Sequence, residues 1–168
     1  RGEVLAFTTT GTAANNLFYE IASAHMSNRY GHNHPAAVSP RFLYFGHPYG
    51  GSHGKIKELR RDDGGAKIPT PTFAVNEILD GEDLQRIIQI EDKALAFIRQ
   101  KVTEDNSDIA GIFIEAIPLN REITRYRTEF MLKLRALADE LNIPIFDDEI
   151  LAVGRTGKFW GYQHYQGF

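Results

Sequence analysis

The 168 residues carry 42% apolar and 24% charged side chains, the balance of an ordinary globular protein with one sizeable core. A net charge of -3, with Lys and Arg scattered, excludes the basic footprint of a nucleic-acid binder, and no apolar run reaches the length of a membrane span. The absence of cysteine excludes disulfides, thiolate metal sites and thiol nucleophiles, and fits a cytoplasmic protein. Arg1-Gly2-Glu3 does not open like a signal peptide, and the missing initiator Met is what a piece of a longer chain would show.

Val4 to Phe7 reads as a short strand running into Thr8-Thr9-Thr10-Gly11-Thr12. A helix over 12–28 follows, with its apolar positions at Leu17, Phe18, Ile21, Ala22 and Ala24. Asn33, His34 and Pro35 break it, and Arg41 to Phe45 is expected to form a second strand. The Gly-, His- and Pro-rich stretch over 46–71 reads as a long loop. Asp80 is placed to cap a helix over 81–103, where Glu82 and Asp83 favour the positive end of the dipole. Leu84, Ile87, Ile88, Leu95, Ile98 and Val102 mark its inward stripe.

Ile109 to Ile114 is a compact buried strand ending at Glu115. A helix over 126–141 comes next, its stripe Phe130, Leu134, Leu137 and Leu141 spaced by four, three and four. Asn142 suits the left-handed position after its last turn, and Pro144 prevents continuation. The apolar run Ile143 to Phe146 then delivers three acids, Asp147, Asp148 and Glu149. Alternation of strands and helices of this kind predicts an α/β fold, with a mostly parallel sheet between helices in a three-layer α/β/α arrangement. No linker divides the chain.

Three segments invite chemistry. Gly11 lets the backbone turn tightly, and Thr10 and Thr12 place hydroxyls beside the free amides of a helix start, an arrangement equally compatible with a phosphate site and with a threonine cap. Glu115 and Asp148 end strands where open α/β sheets place charge in a ligand crevice, although each alone would serve as a turn acid. His32, His34, His47 and His53 lack the third ligand that would fix a coordination geometry, so they read as solvated loop residues and no metal is expected. Gly50-Gly51-Ser52-His53-Gly54-Lys55 is out of register for a nucleotide-binding loop, and Ile56 stands where a magnesium-binding hydroxyl belongs.

Taken in order, these segments resemble the class III pyridoxal-phosphate-dependent aminotransferases of fold-type I. Thr10-Gly11-Thr12-Ala13-Ala14-Asn15 is similar to the family's Ser-Gly-Thr-Glu-Ala-Asn turn, and Phe45 to Gly51 to its segment carrying the ring-stacking aromatic. Phe113-Ile114-Glu115-Ala116-Ile117 resembles its Val-Glu-Pro-Ile strand end. Phe130 to Arg135 matches Phe-Leu-x-x-Leu-Arg at the usual distance. Asp148-Glu149-Ile150 followed by Gly154-Arg155-Thr156-Gly157-Lys158 resembles Asp-Glu-Val and Gly-Arg-Thr-Gly-Lys.

The resemblance implies pyridoxal 5'-phosphate, with Gly11 and Thr12 at its phosphate, Asp148 at its ring nitrogen, Ile150 and Tyr49 against its two faces, and Glu115 in the pocket wall. It implies a large domain occupying 1–168 in part, without the small domain or N-terminal arm, and a Schiff-base lysine beyond Phe168 rather than Lys158, so that no catalytic residue is expected within the chain and the piece alone is expected to be inactive. It further implies an amino donor and an oxo acceptor as substrates and a homodimer as the assembly. Ala13, Gly50 and Leu151 stand where the family carries Glu, His and Gln, which leaves a diverged non-catalytic relative as a second reading. An unrelated phosphate-binding α/β module is a third.

Overall fold

The computed structural model describes residues 6–30, 36–40, 67–68, 71–74, 77–103, 109–119 and 123–168. In chain order these form α1 (Gly11–Tyr30), β1 (Ala36–Pro40), β2 (Lys67–Ile68), β3 (Phe73–Ala74), α2 (Gly81–Thr103), β4 (Ile109–Ile114), β5 (Thr124–Arg125), α3 (Thr128–Leu141) and β6 (Ile145–Asp147), closing with a 3-10 turn at Gly161–His164. The main sheet runs β2-β1-β4-β6 with every pair parallel, while β3 and β5 form a separate antiparallel pair.

Successive strand side chains point to opposite faces, and the helices sort accordingly. Phe113 on β4 stacks on Phe146 of β6 at 4.7 Å, and Phe146 meets Phe18 of α1 at 5.7 Å. Ile112 and Ile114 point the other way, into a core shared with Ala94 and Ile98 of α2 and with Phe130, Leu134 and Leu137 of α3. Helices therefore cover both faces, which is the predicted three-layer α/β/α arrangement around a parallel sheet.

The helix ends follow their local chemistry. Asp80 Oδ1 accepts the N–H groups of Glu82 and Asp83, each at 2.9 Å, and so caps α2. Asn142 adopts φ 54°, ψ 44°, and the Ile143 N–H reaches back to the Ala138 carbonyl at 3.0 Å, closing α3 before Pro144. Glu91 lies on the inward stripe of α2 and is fully buried, held by Arg127 at 2.9 Å. Burial pushes the Glu91 carboxyl up, with Arg127 and Lys133 pulling against it.

Several expectations shift. Ala6 and Phe7, the described part of the expected first strand, pair with no strand among the described residues, and Phe7 is exposed. The expected strand at 41–45 lies outside the described residues. A strand instead occupies Ala36–Pro40, a segment of weak strand propensity whose state is set by β4 on one side and β2 on the other. β2 falls in the stretch read as loop, most of which lies outside the described residues. The last strand runs Ile145–Asp147 and so takes in the first of the three acids. In α1 the buried line is Asn15, Tyr19, Ala22 and Met26, whereas Phe18, Ile21 and Ala24 are exposed.

Candidate functional site

The site forms where the C-terminal end of β6 meets the N-terminal turn of α1. The register pairs Ile114 with Asp147, and the Asp148 N–H continues the ladder to the Ile114 carbonyl at 2.8 Å. Asp148 is thus the first residue past the edge, where a parallel sheet opens its crevice. Its Oδ2 accepts the Asn15 Nδ2–H at 2.8 Å, and its Oδ1 accepts the Ile150 N–H at 3.0 Å. The carboxylate is half-buried and held from two sides by neutral donors.

Gly11 opens α1 beside it. A Cβ on Gly11 would stand 3.9 Å from Ile150, so the turn and the residue two past Asp148 are packed against one another. Thr10 caps the helix, its Oγ1 accepting the Ala13 N–H at 3.1 Å, and its carbonyl takes the Ala14 N–H at 3.1 Å. The N–H groups of Gly11 and Thr12 have no intrahelical acceptor, because the first turn has none to offer. The threonine cap is thus formed, and it leaves the amides of Gly11 and Thr12 at the positive end of the dipole.

Of the residues singled out from sequence, Gly11, Thr12, Asp148 and Ile150 converge at this point. Tyr49 lies outside the described residues, as do the four loop histidines. Glu115 is buried at the end of β4, where its charge and that of Asp147 act on the Tyr126 hydroxyl. The Tyr126 phenol is raised by its complete burial first and by these acids second. Tyr165 is pushed up to about 12, mainly by burial. Its hydroxyl donates to the Ala116 carbonyl at 2.9 Å and accepts the Tyr126 N–H at 3.1 Å.

Asn15 is the residue that sequence reading missed. It was legible as the last member of the threonine-turn motif, but nothing local marks it as the partner of an acid 133 positions away. Arg155 also contributes, its guanidinium donating to the carbonyls of Ile150 and Leu151 at 3.1 and 3.0 Å. Gly154 and Gly157 take φ 68° and 84° in that loop, a region where a Cβ is strained. A separate cavity of about 840 Å³ lies between β5, the start of α3 and Tyr165, and neither Gly11 nor Asp148 lines it. Among the described residues no cluster of His, Asp and Glu is arranged to hold a metal ion.

The start of α1 thus lies beside a fixed carboxylate at the end of a parallel sheet. The sequence pattern described as aminotransferase class-III matches residues 2–168, and the chain belongs to that family, whose members depend on pyridoxal phosphate. It is similar to an acetylornithine aminotransferase of Synechocystis sp., 36% identical over 62 residues, which are 36% of this chain and 14% of that one. Among solved structures, the lysine aminotransferase from M. tuberculosis superposes with a TM-score of 0.69 at 21% identity, over 95% of this chain and 38% of its own. The taurine:2-oxoglutarate aminotransferase from Bifidobacterium kashiwanohense, a complex with PLP and glutamate, superposes with a TM-score of 0.60 at 20% identity, over 94% of this chain and 36% of its own. The chain spans well under half the length of each of these relatives.

Proposed function

We propose that this chain forms the cofactor-holding core of an aminotransferase that moves an amino group between an amine or amino acid and a 2-oxo acid or aldehyde. The observation that carries the reading is the Asn15–Asp148 hydrogen bond, which fixes a carboxylate beside the turn that opens at Gly11. The residues present fit pyridoxal 5'-phosphate at both ends. The free amides of Gly11 and Thr12 suit its phosphate, and Asp148 suits the protonated nitrogen of its ring. Bound there, the pyridinium withdraws electrons from the carbon that bears the transferred amine.

The chain's own residues orient and hold. Asp148, held in place by Asn15 and the Ile150 N–H, would face the ring nitrogen. Ile150 would lie against one ring face, and Tyr49 is the proposed cover of the other. Glu115 shapes the wall behind. We place 1–168 within a large domain, with the Schiff-base lysine, the small domain and the N-terminal arm supplied from outside it, and Lys158 kept in its exposed loop. Alone, the chain would then bind cofactor without turning over. A homodimer in the cytoplasm is the proposed setting; no helix among the described residues is long and apolar enough to cross a membrane.

Equilibrium dialysis against pyridoxamine 5'-phosphate tests this reading. The wild-type chain should bind it, and Asp148→Ala should weaken binding by about tenfold or more, the scale of one lost charge-assisted contact, while inorganic phosphate binding stays unchanged. Equal binding by Asp148→Ala, or none by the wild type, overturns the assignment. Ala13, Gly50 and Leu151 favour the second reading, a relative that binds without transaminating. A longer protein that takes up cofactor but transfers no amino group from any donor would select it.

A further inference from the structure

Glu149 sits between the two residues given to the cofactor ring, Asp148 and Ile150, and its side chain reaches far along the chain. Its Oε2 accepts the Gly161 N–H at 2.8 Å and its Oε1 accepts the Tyr162 N–H at 3.0 Å. These amides open the 3-10 turn at Gly161–His164, and the first N–H groups of such a turn have no acceptor within it. The main chain there comes in so close that a Cβ at Gly161 would stand 2.9 Å from Glu149 Oε2, 3.0 Å from Ala152 Cβ and 3.2 Å from Ile117 Cγ1. The turn is itself tied to the sheet. Tyr165, which follows it, donates to the Ala116 carbonyl just past β4 at 2.9 Å and accepts the Tyr126 N–H at 3.1 Å. Between the two ends of the bridge the loop closes on itself, with the Gly154 N–H on the Phe159 carbonyl at 2.8 Å and the Val153 N–H on the Glu149 carbonyl at 2.9 Å.

We propose that Glu149 is a positioning residue for the cofactor site: seated on the two amides of the 3-10 turn, its carboxylate fixes the main chain that presents Asp148 and Ile150. Asp148 has fastenings of its own, the Asn15 Nδ2–H on its Oδ2 and its N–H on the Ile114 carbonyl. Ile150 has fewer. It is 58% exposed, its N–H goes to Asp148, and its carbonyl takes a hydrogen bond from the exposed Arg155 at 3.1 Å. Its place is therefore set chiefly by the residue before it, and that residue is held through its side chain. Each of the two bonds uses a different carboxylate oxygen, and bonds of this charge-assisted kind are the stronger ones. A side-chain amide offers one acceptor and turns a donor toward the second N–H. Reach matters too, since Asp falls one methylene short. The assignment rests on the roles given above to Asp148 and Ile150; the bridge itself does not.

Two readouts on the chain test this. In equilibrium dialysis, Glu149→Ala and Glu149→Asp should each bind pyridoxamine 5'-phosphate about tenfold more weakly than wild type, the scale of one charge-assisted bond, and Glu149→Gln should lose less because it keeps one bond. Inorganic phosphate should bind all four proteins alike. A side chain that merely stabilised the fold would move both ligands or neither, so a loss confined to the ring-bearing ligand is the signature. In amide hydrogen exchange of the cofactor-free chain, read by NMR, Gly161 and Tyr162 should be protected in the wild type, unprotected in the Ala and Asp variants, and protected at one of the two in Glu149→Gln. Undiminished pyridoxamine 5'-phosphate binding by Glu149→Ala, an equal loss for phosphate, or Glu149→Asp behaving as wild type overturns the proposal. Should the Ala variant not fold, Glu149→Gln decides, and full protection of both amides with unchanged affinity sinks the idea. A wild type that binds no pyridoxamine 5'-phosphate brings down the cofactor reading and the positioning role together. A wild type that binds it, with Glu149 variants that bind it equally, brings down the positioning role alone.

Discussion

Replacing Asn15 with Ala separates a polar side chain that holds Asp148 from one that merely fills space. Asn15 is 7% exposed, and its single described hydrogen bond crosses from α1 to the end of β6 at 2.8 Å. A hydrogen bond to a charged group is worth about 1.5–3 kcal/mol, and the half-burial of Asp148, which admits water in Asn15's place, points to about 1.5 kcal/mol. In a chain of this size that lowers Tm by roughly 3–6 °C. Helix propensity works in the opposite direction, since Ala favours a helix over Asn by up to about 0.7 kcal/mol. A net loss of about 1 kcal/mol in urea unfolding is therefore expected. Asn15→Asp should be worse at neutral pH, with two carboxylates in contact, and should recover on mild acidification as one of them takes a proton. An Ala variant as stable as the wild type would show that the Asn15–Asp148 bond holds nothing, and the fixed carboxylate would lose its support.

Arg127→Leu should cost about 3–5 kcal/mol in the same assay, because it strands the buried Glu91, whereas changing both residues to apolar ones together should recover much of that loss. The pH dependence of stability has a definite sign at Asp147. Its folded carboxyl is raised from 3.8 to about 8, so the folded chain binds that proton more tightly; stability is fully present below about pH 4 and is lost progressively as pH rises toward about 8. Asp147→Asn should flatten that slope in urea midpoints measured across the window. Gly111→Ala should destabilise by about 1–3 kcal/mol, since a Cβ there would stand 2.8 Å from the Phe146 ring and 2.9 Å from the Pro144 carbonyl; a midpoint equal to wild type would show that β4 and β6 can part freely.

The three acids show where the sequence stopped being informative. Asp147-Asp148-Glu149 after an apolar run signals costly charge awaiting a positive partner. Among the described residues the partners are mostly backbone and amide donors: Ala116 for Asp147, Asn15 and Ile150 for Asp148, Gly161 and Tyr162 for Glu149. Consecutive strand positions face opposite ways, so acids adjacent in sequence enter separate environments. The acid that looked the least distinctive, Asp147, is the one whose titration is most displaced.

What the sequence determined by itself is whatever depends on near neighbours. The cap at Asp80, the left-handed stop at Asn142, the inward stripes of α2 and α3, and the threonine turn at Gly11 follow from spacings of a few residues, where one helical turn or one hydrogen bond decides the outcome. Tertiary structure decided whatever depends on partners far along the chain. Ala36–Pro40 is a strand because two parallel neighbours supply its hydrogen bonds, and α1 buries Asn15 in preference to Ile21 because an acid from the end of β6 meets that face. Propensity and periodicity sum local free energies; a buried polar contact is favourable only where its distant partner has already been brought to it.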